Sequence, residues 1–458
     1  MLDNEGGEGV AAGGVPPILG QERRWLWALC LSVLLVQVDT SVVNLAVRAI
    51  GIAFRSPVAT VKWVVAAYNL TYAALLLSGG TLADLLGRRR IVLWGIGLFT
   101  AGCGVAALAP SIEILIMGRI VSGIGAALIL PGTLALVRVL WPEPARRAHA
   151  IGVWAGMSGA AFVVGPPLGG LLVAVMGWRG IFLLTVPLGL IAAWLTRFLP
   201  ESSAPAGRHL DLAGQAWAVC ALAAFTYATT APSHPVAAGL FGIMAALGFY
   251  LAERRAGAAA MVPLAFLRRG ALLSAMGVAA AMTFGMYGLL FLVPLVWQRF
   301  GVLTVGGAGF ALLPMSVVFV GLSHKTGRWS ARFGAKALIG SGMALIAMGL
   351  AVVSLTRVGA PLALAEVGLT LAGLGMAFAT GPNLALASGA VAPERSGTAS
   401  ALANTARMWG ATLGVAAAAT VYGAGGADPA SFTWALRMGA LVVAGGAILA
   451  LRGGGGVS

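Results

Sequence analysis

The chain has 458 residues, of which 59% are hydrophobic and only 9% are charged. A soluble domain carries about 25% charged residues, so this composition excludes a water-covered globular surface and makes lipid the outer solvent. The net charge of +15 would suit a nucleic-acid partner, but its distribution along the chain, traced below, argues against one.

Residues 1–24 open acidic and Gly-rich, lack the basic start of a signal peptide, and predict a disordered cytoplasmic tail. A bilayer crossing needs about 20 apolar residues. Runs of that kind predict 14 transmembrane helices, near 25–48, 60–79, 91–109, 113–137, 149–175, 181–198, 212–231, 236–252, 271–297, 304–322, 336–355, 360–382, 398–422 and 433–451.

The first span carries Asp39. An ionisable group inside a membrane is costly and marks a functional site by default. Burial disfavours its carboxylate form and a nearby cation favours it, so a group balanced between the two can load and release a proton. Gln37, Thr40, Ser41 and Asn44 form a polar stripe at helical spacing, read as cavity-lining. Asp39 lies about 100° around the helix from Thr40 and is expected to face a neighbouring helix. In the second span Tyr68 and Tyr72, one turn apart, suggest a substrate surface. The loop after it reads Gly80-Thr-Leu-Ala-Asp84-Leu-Leu-Gly87-Arg88, with Asp84 placed to bind Arg88 or a cation on another helix. The fourth span embeds Arg119, which cannot shed its charge and is the natural partner of Asp39. The fifth span holds Gly152 and the run Gly165-Pro166-Pro167-Leu168-Gly169-Gly170. Proline removes a backbone donor and bends a helix, and glycines let helices approach closely.

The ninth span offers Met286 and Tyr287 to a substrate, since Met adapts to varied shapes and aromatic faces attract organic cations. Glu366, near the outer end of the twelfth span, is a second embedded carboxylate. It is a candidate for a proton, for a cationic substrate, or for a rim position reaching water. Asn404 and Arg407 in the thirteenth span are assigned to the cavity, with Arg407 the expected counterpart of Glu366.

An even number of spans puts both termini on one side. Placing them in the cytoplasm leaves 20 of the 29 basic residues inside and 6 outside, with 3 (Arg119, Arg407 and Arg437) within spans. Excess Lys and Arg mark cytoplasmic loops, so the net charge is mainly a topology signal toward anionic lipid. The run Gly80–Arg89 is echoed by Gly327–Lys336. That repeat predicts two six-helix halves, 25–198 and 271–458, separated by a linker (199–270) with two inserted helices. Paired halves with a site at their interface are a transporter pattern. Ala331 stands where Asp84 stands in the first copy, so the two loops are not expected to gate alike. The fold class is therefore an all-α polytopic membrane protein. Cys30, Cys103 and Cys220 are dispersed, and the four histidines fall in or beside loops. Neither metal, cofactor nor enzymatic chemistry is expected from them.

Gly80–Arg90 is similar to the G-x-L-A-D-R-x-G-R-R loop of the major facilitator superfamily, departing at Leu85. Leu115-x-x-x-Arg119-x-x-Ser122-Gly123-x-Gly125 resembles its helix-four motif. Gly165-Pro166-x-x-Gly169-Gly170, with Gly152, resembles the helix-five motif of its antiporters, although Ala161 replaces one expected Gly. Asp39-Thr40-x-x-x-Asn44-x-Ala46 resembles the helix-one motif of the fourteen-helix drug:proton antiporter branch, with Arg48 where Pro usually ends it. The resemblance covers nearly the whole chain after residue 24. It implies the major facilitator fold and a monomer that exports small amphipathic or lipophilic molecules against protons in the inner (plasma) membrane. It implicates Arg119 in proton transfer and the helix-five glycines in sealing the helix interface. The alternatives are transport of one specific metabolite and, remotely, a membrane enzyme.

Overall fold

The computed structural model describes residues 20–203, 211–230, 235–257, 262, 264–356, 361–391 and 396–452. Sixteen α-helices follow in chain order: α1 (Gln21–Ala53), α2 (Val58–Leu86), α3 (Arg88–Leu108), α4 (Ile112–Leu140), α5 (Pro144–Met176), α6 (Arg179–Thr196), α7 (Leu212–Thr230), α8 (Pro235–Ala256), α9 (Gly270–Arg299), α10 (Val305–Ala311), α11 (Leu313–Ser323), α12 (Thr326–Phe333), α13 (Ala335–Ser354), α14 (Leu362–Gly389), α15 (Ser396–Ala424) and α16 (Pro429–Arg452). Helices are the expected solution, because a segment in hydrocarbon must satisfy its own backbone hydrogen bonds.

Twelve helices of the described chain are long and apolar enough to cross a membrane, with α10 and α11 counted as one. The two other long helices are α7, whose apolar stretch is short, and α15, whose 29 residues include Asn404, Arg407 and several Ser and Thr. The tenth predicted span is broken at Leu312, just before Pro314. Proline supplies no N–H and its ring collides with the carbonyl of the preceding turn. The N-terminal tail was drawn four residues too long: Gln21–Arg24 form the first turn of α1, where Glu22 pairs with Arg146 of α5. Residues 1–19 lie outside the described residues.

Helices α1–α6 pack chiefly on one another, as do α9–α16, and the two sets meet through α2 against α15, α1 against α9, and α5 against α10 and α11. The inserted pair α7–α8 forms a hairpin that leans on α2 and α15, one helix from each set. Gln215 of α7 donates to the Ala74 carbonyl and accepts from Ser78. Phe225 of α7 lies 6.1 Å from Trp409 of α15. The repeated loops share a backbone device. Gly87 between α2 and α3 and Gly334 between α12 and α13 have φ of 105° and 86°, a region where a Cβ is strained.

Candidate functional site

Deep in the N-terminal set, α1 and α4 bring two charges together. Arg119 Nη1 donates to both Asp39 carboxylate oxygens, at 2.9 and 2.8 Å. The two side chains are 0% and 1% exposed, so this is a dry pair and not a surface one. Its surroundings fix the guanidinium. Arg119 Nε donates to the Val64 carbonyl at 3.0 Å, and its Cζ sits 4.3 Å above the Tyr68 ring. The Thr40 hydroxyl reaches Tyr68 Oη at 3.4 Å. Cys103 Sγ lies 3.9 Å from the Asp39 carboxylate. Asp39 thus faces a neighbouring helix, as its angular position on α1 required.

The helix-five run occupies the seams of the bundle. A Cβ on Gly165 would overlap the Ser41 hydroxyl of α1, and one on Gly169 would crowd Val42. Ser41 in turn donates to the Ala161 carbonyl at 3.2 Å. On its other side, Gly170 lies against the Val305 carbonyl, and Gly309 of α10 against the Pro166 carbonyl. Glycine at these places is what allows α1, α5 and α10 to touch through their backbones. Gly152 does not belong to this contact, since a Cβ there would meet nothing within 4 Å. Further contacts between the two sets lie toward the same end of the bundle, remote from the Arg-rich loops. Lys62 of α2 donates to Thr420 of α15 at 3.2 Å, and Gln298 of α9 to the Leu45 carbonyl of α1 at 3.3 Å.

At the opposite end, Arg88 pairs with Asp84 at 2.7 Å across one helical step. Gly80 lies only in ordinary contact with Pro131. A residue that sequence reasoning missed completes the loop. The Glu201 carboxylate accepts the backbone N–H groups of Arg89 and Arg90 at 2.9 and 3.1 Å. It caps α3 where the helix dipole is positive. Arg89 also reaches the Leu199 carbonyl at 3.0 Å, so it does more than mark topology. Nothing in the local sequence signalled Glu201, because four helices, α3 to α6, separate it along the chain from the loop it caps.

A cleft opens among α5, α9, α11, α14 and α15. Of the residues assigned to a cavity from sequence, Met286, Tyr287 and Arg407 line it. Gln37, Thr40, Asn44, Tyr68, Tyr72 and Asn404 do not. Thr40 and Tyr68 are turned onto the buried ion pair, Asn44 is buried within the helix packing, Gln37 is half-buried on α1, and Tyr72 stacks near Tyr68 with ring centroids 6.1 Å apart. Met282, also on the ninth predicted span, lines the cleft too, and the rest of the lining, including Phe162, Met315, Phe319 and Met376, was not distinguished from lipid-facing residues in the sequence. Arg407 does not pair with Glu366. Its Nη1 donates to Asn404 Oδ1 at 3.2 Å, while Glu366 is half-buried one turn into α14 and outside the cleft lining. Among the described residues no cluster of His, Cys, Asp or Glu could hold a metal ion.

The family model described as Major Facilitator Superfamily matches residues 29–415. The chain belongs to the major facilitator superfamily. It is 34% identical over 408 residues to the multidrug resistance protein Stp of Mycobacterium tuberculosis, covering 87% of this chain and 75% of that protein. Identity to the methylenomycin A resistance protein of Streptomyces coelicolor is 30%, covering 86% and 84%. Identity to the drug efflux pump JefA of M. tuberculosis is 32%, covering 88% and 81%. Among solved structures, a bacterial homologue of the human lysosomal transporter Spinster superposes with a TM-score of 0.66 over 96% of each chain at 19% identity. That likeness establishes the fold. The protein is thus a multi-pass membrane transporter of the facilitator type.

Proposed function

We propose that this transporter exports amphipathic or lipophilic drugs in exchange for protons, as a monomeric member of the fourteen-helix branch with both termini in the cytoplasm. The observation that carries the reading is the buried Asp39–Arg119 pair. A carboxylate held dry by one guanidinium can be released or recaptured by a small shift of α1 against α4, and only the released group is free to take a proton. The names of the relatives, which include multidrug resistance and efflux proteins, support the drug part of the proposal. The branch assignment is supported by α15, which packs against α2 and α9, and by the α7–α8 hairpin. Counting α7 and α15 with the 12 already given, which include α8, would bring the membrane crossings to 14.

The halves 25–198 and 271–451 would rock about the α2–α15, α1–α9 and α5–α10 seams. The Asp84–Arg88 pair and the Glu201 cap hold the cytoplasmic loop of the first half. The backbone contacts of Gly165, Gly169 and Gly170 keep the α1–α5–α10 seam dry. On the outside Asp39 separates from Arg119 and binds a proton. Return to the cytoplasm releases it as Arg119 recaptures the carboxylate. A proton moving inward supplies about 2.3 kcal/mol per 100 mV of membrane potential.

Proteoliposomes with a lumenal pH dye and an imposed pH gradient test this. Lipophilic drugs from a panel should dissipate the gradient through wild type and not through Asp39→Asn. A wild-type protein that moves drug with no proton flux would leave export standing and remove the coupling. Failure of every drug to move would favour a narrow metabolite substrate.

A further inference from the structure

Two arginines lie within the bundle near its middle, and they differ in one respect. Arg119 is neutralised by Asp39. Arg407 makes no ion pair among the described residues. Among the described residues its one side-chain hydrogen bond is to the neutral Asn404 carbonyl, and its Nε is buried without a partner. A guanidinium cannot shed its charge, and an uncompensated charge inside a protein is costly. Arg407 is also held in place. Thr283 of α9 donates to its backbone carbonyl at 2.6 Å. The cleft it lines has no acidic side chain in its wall, which is otherwise built largely from Met282, Met286, Met315, Met376, Phe162 and Phe319. An organic cation entering there finds a like charge and no counter-charge. A carboxylate or phenolate finds a fixed planar donor suited to oxygen anions, with adaptable thioethers and rings for its apolar body.

We propose that this cleft binds amphipathic anions, with the anionic oxygen of the substrate on Arg407 and its hydrophobic body against the Met and Phe side chains of α9, α11 and α14. The proposal rests on the exporter reading for its physiological meaning, but the binding it describes needs no proton gradient.

Three probes with one body and different heads test the charge preference: 1-pyrenebutyrate, 1-pyrenebutanol and 1-pyrenebutylamine. Binding to the full-length protein in nanodiscs is read by energy transfer from tryptophan to pyrene. Excess non-fluorescent competitor subtracts probe dissolved in lipid. Wild type should bind the butyrate about tenfold more tightly than the alcohol or the amine, the scale of a charge-assisted hydrogen bond. Arg407→Gln should bring the butyrate to the level of the alcohol while the alcohol itself changes by less than about twofold. Arg407→Lys should keep part of the preference. Retained alcohol binding separates this loss from unfolding. Amine binding as tight as butyrate binding in wild type, a butyrate preference that survives Arg407→Gln, or no saturable binding of any probe would overturn the proposal. Because no gradient is present, the binding order can hold even if proton antiport fails. It can likewise fail while drugs still move protons.

Discussion

Replacing Asp39 by Asn keeps the shape of the side chain and removes its charge. Arg119 would keep its bond to Val64 and its place over Tyr68, but in a site with 0% exposure it would have at most one neutral amide acceptor in place of the two carboxylate contacts. Breaking one partner out of a buried pair costs about 3–5 kcal/mol, whereas replacing both is often close to neutral. Asp39→Asn should therefore destabilise the protein by about 3 kcal/mol. Arg119→Gln should cost less, because a carboxyl group left alone can shed its charge by binding a proton and a guanidinium cannot. The double variant should recover at least half of the summed loss, leaving a coupling energy of about 2–3 kcal/mol. Reversible unfolding in mixed detergent–lipid micelles, run on the four proteins of the cycle, measures it. Additive single and double losses, with coupling below about 0.5 kcal/mol, would show that the two groups do not depend on one another and would refute the dry-pair reasoning.

Other perturbations follow from the packing. Gly309→Val places a side chain on the Pro166 carbonyl and should part α10 from α5, seen as a substrate-independent proton leak in liposomes; leak rates equal to wild type would contradict the seal. Gly152→Ala enters open space, so transport should be unchanged and stability should rise by up to about 1 kcal/mol. Glu201→Gln removes the anionic cap of α3 and should cost about 0.5–2 kcal/mol in the same unfolding assay while export persists. Glu366→Gln, outside the cleft and half-buried, should retain drug-dependent proton movement, and its loss would shift the coupling site to the second half.

Much of this arrangement is legible in the amino-acid sequence because a membrane makes certain residues conspicuous. Asp39 and Arg119 stand alone in apolar spans, and each needs an opposite charge, so their pairing could be anticipated. The same reasoning misjudged Arg407. Glu366 was the available carboxylate in the second half, but α14 carries it near one end while Arg407 lies mid-helix, so the two do not meet. The clustered glycines Gly165, Gly169 and Gly170 of α5 announced close contact and make it, while Gly152, more than three turns earlier and exposed, does not. The cleft lining was hidden for a different reason. In a helix that is apolar all round, a face toward lipid and a face toward a cavity have the same composition, and Met315 or Phe319 carries no mark of either. The break at Leu312 was readable from Pro314, which a search for unbroken apolar length overlooks.

The most direct test of the central claim is whether substrate and proton exclude one another on the protein itself. A drug shown to be transported would be added to purified protein in weakly buffered detergent solution, and the pH of the medium followed. Exchange through Asp39 predicts that wild type, held at a pH where part of it carries a proton on Asp39 away from Arg119, releases protons on binding the drug, and that Asp39→Asn binds the drug and releases none. Drug binding with no proton release from wild type, or equal release from both proteins, would contradict it.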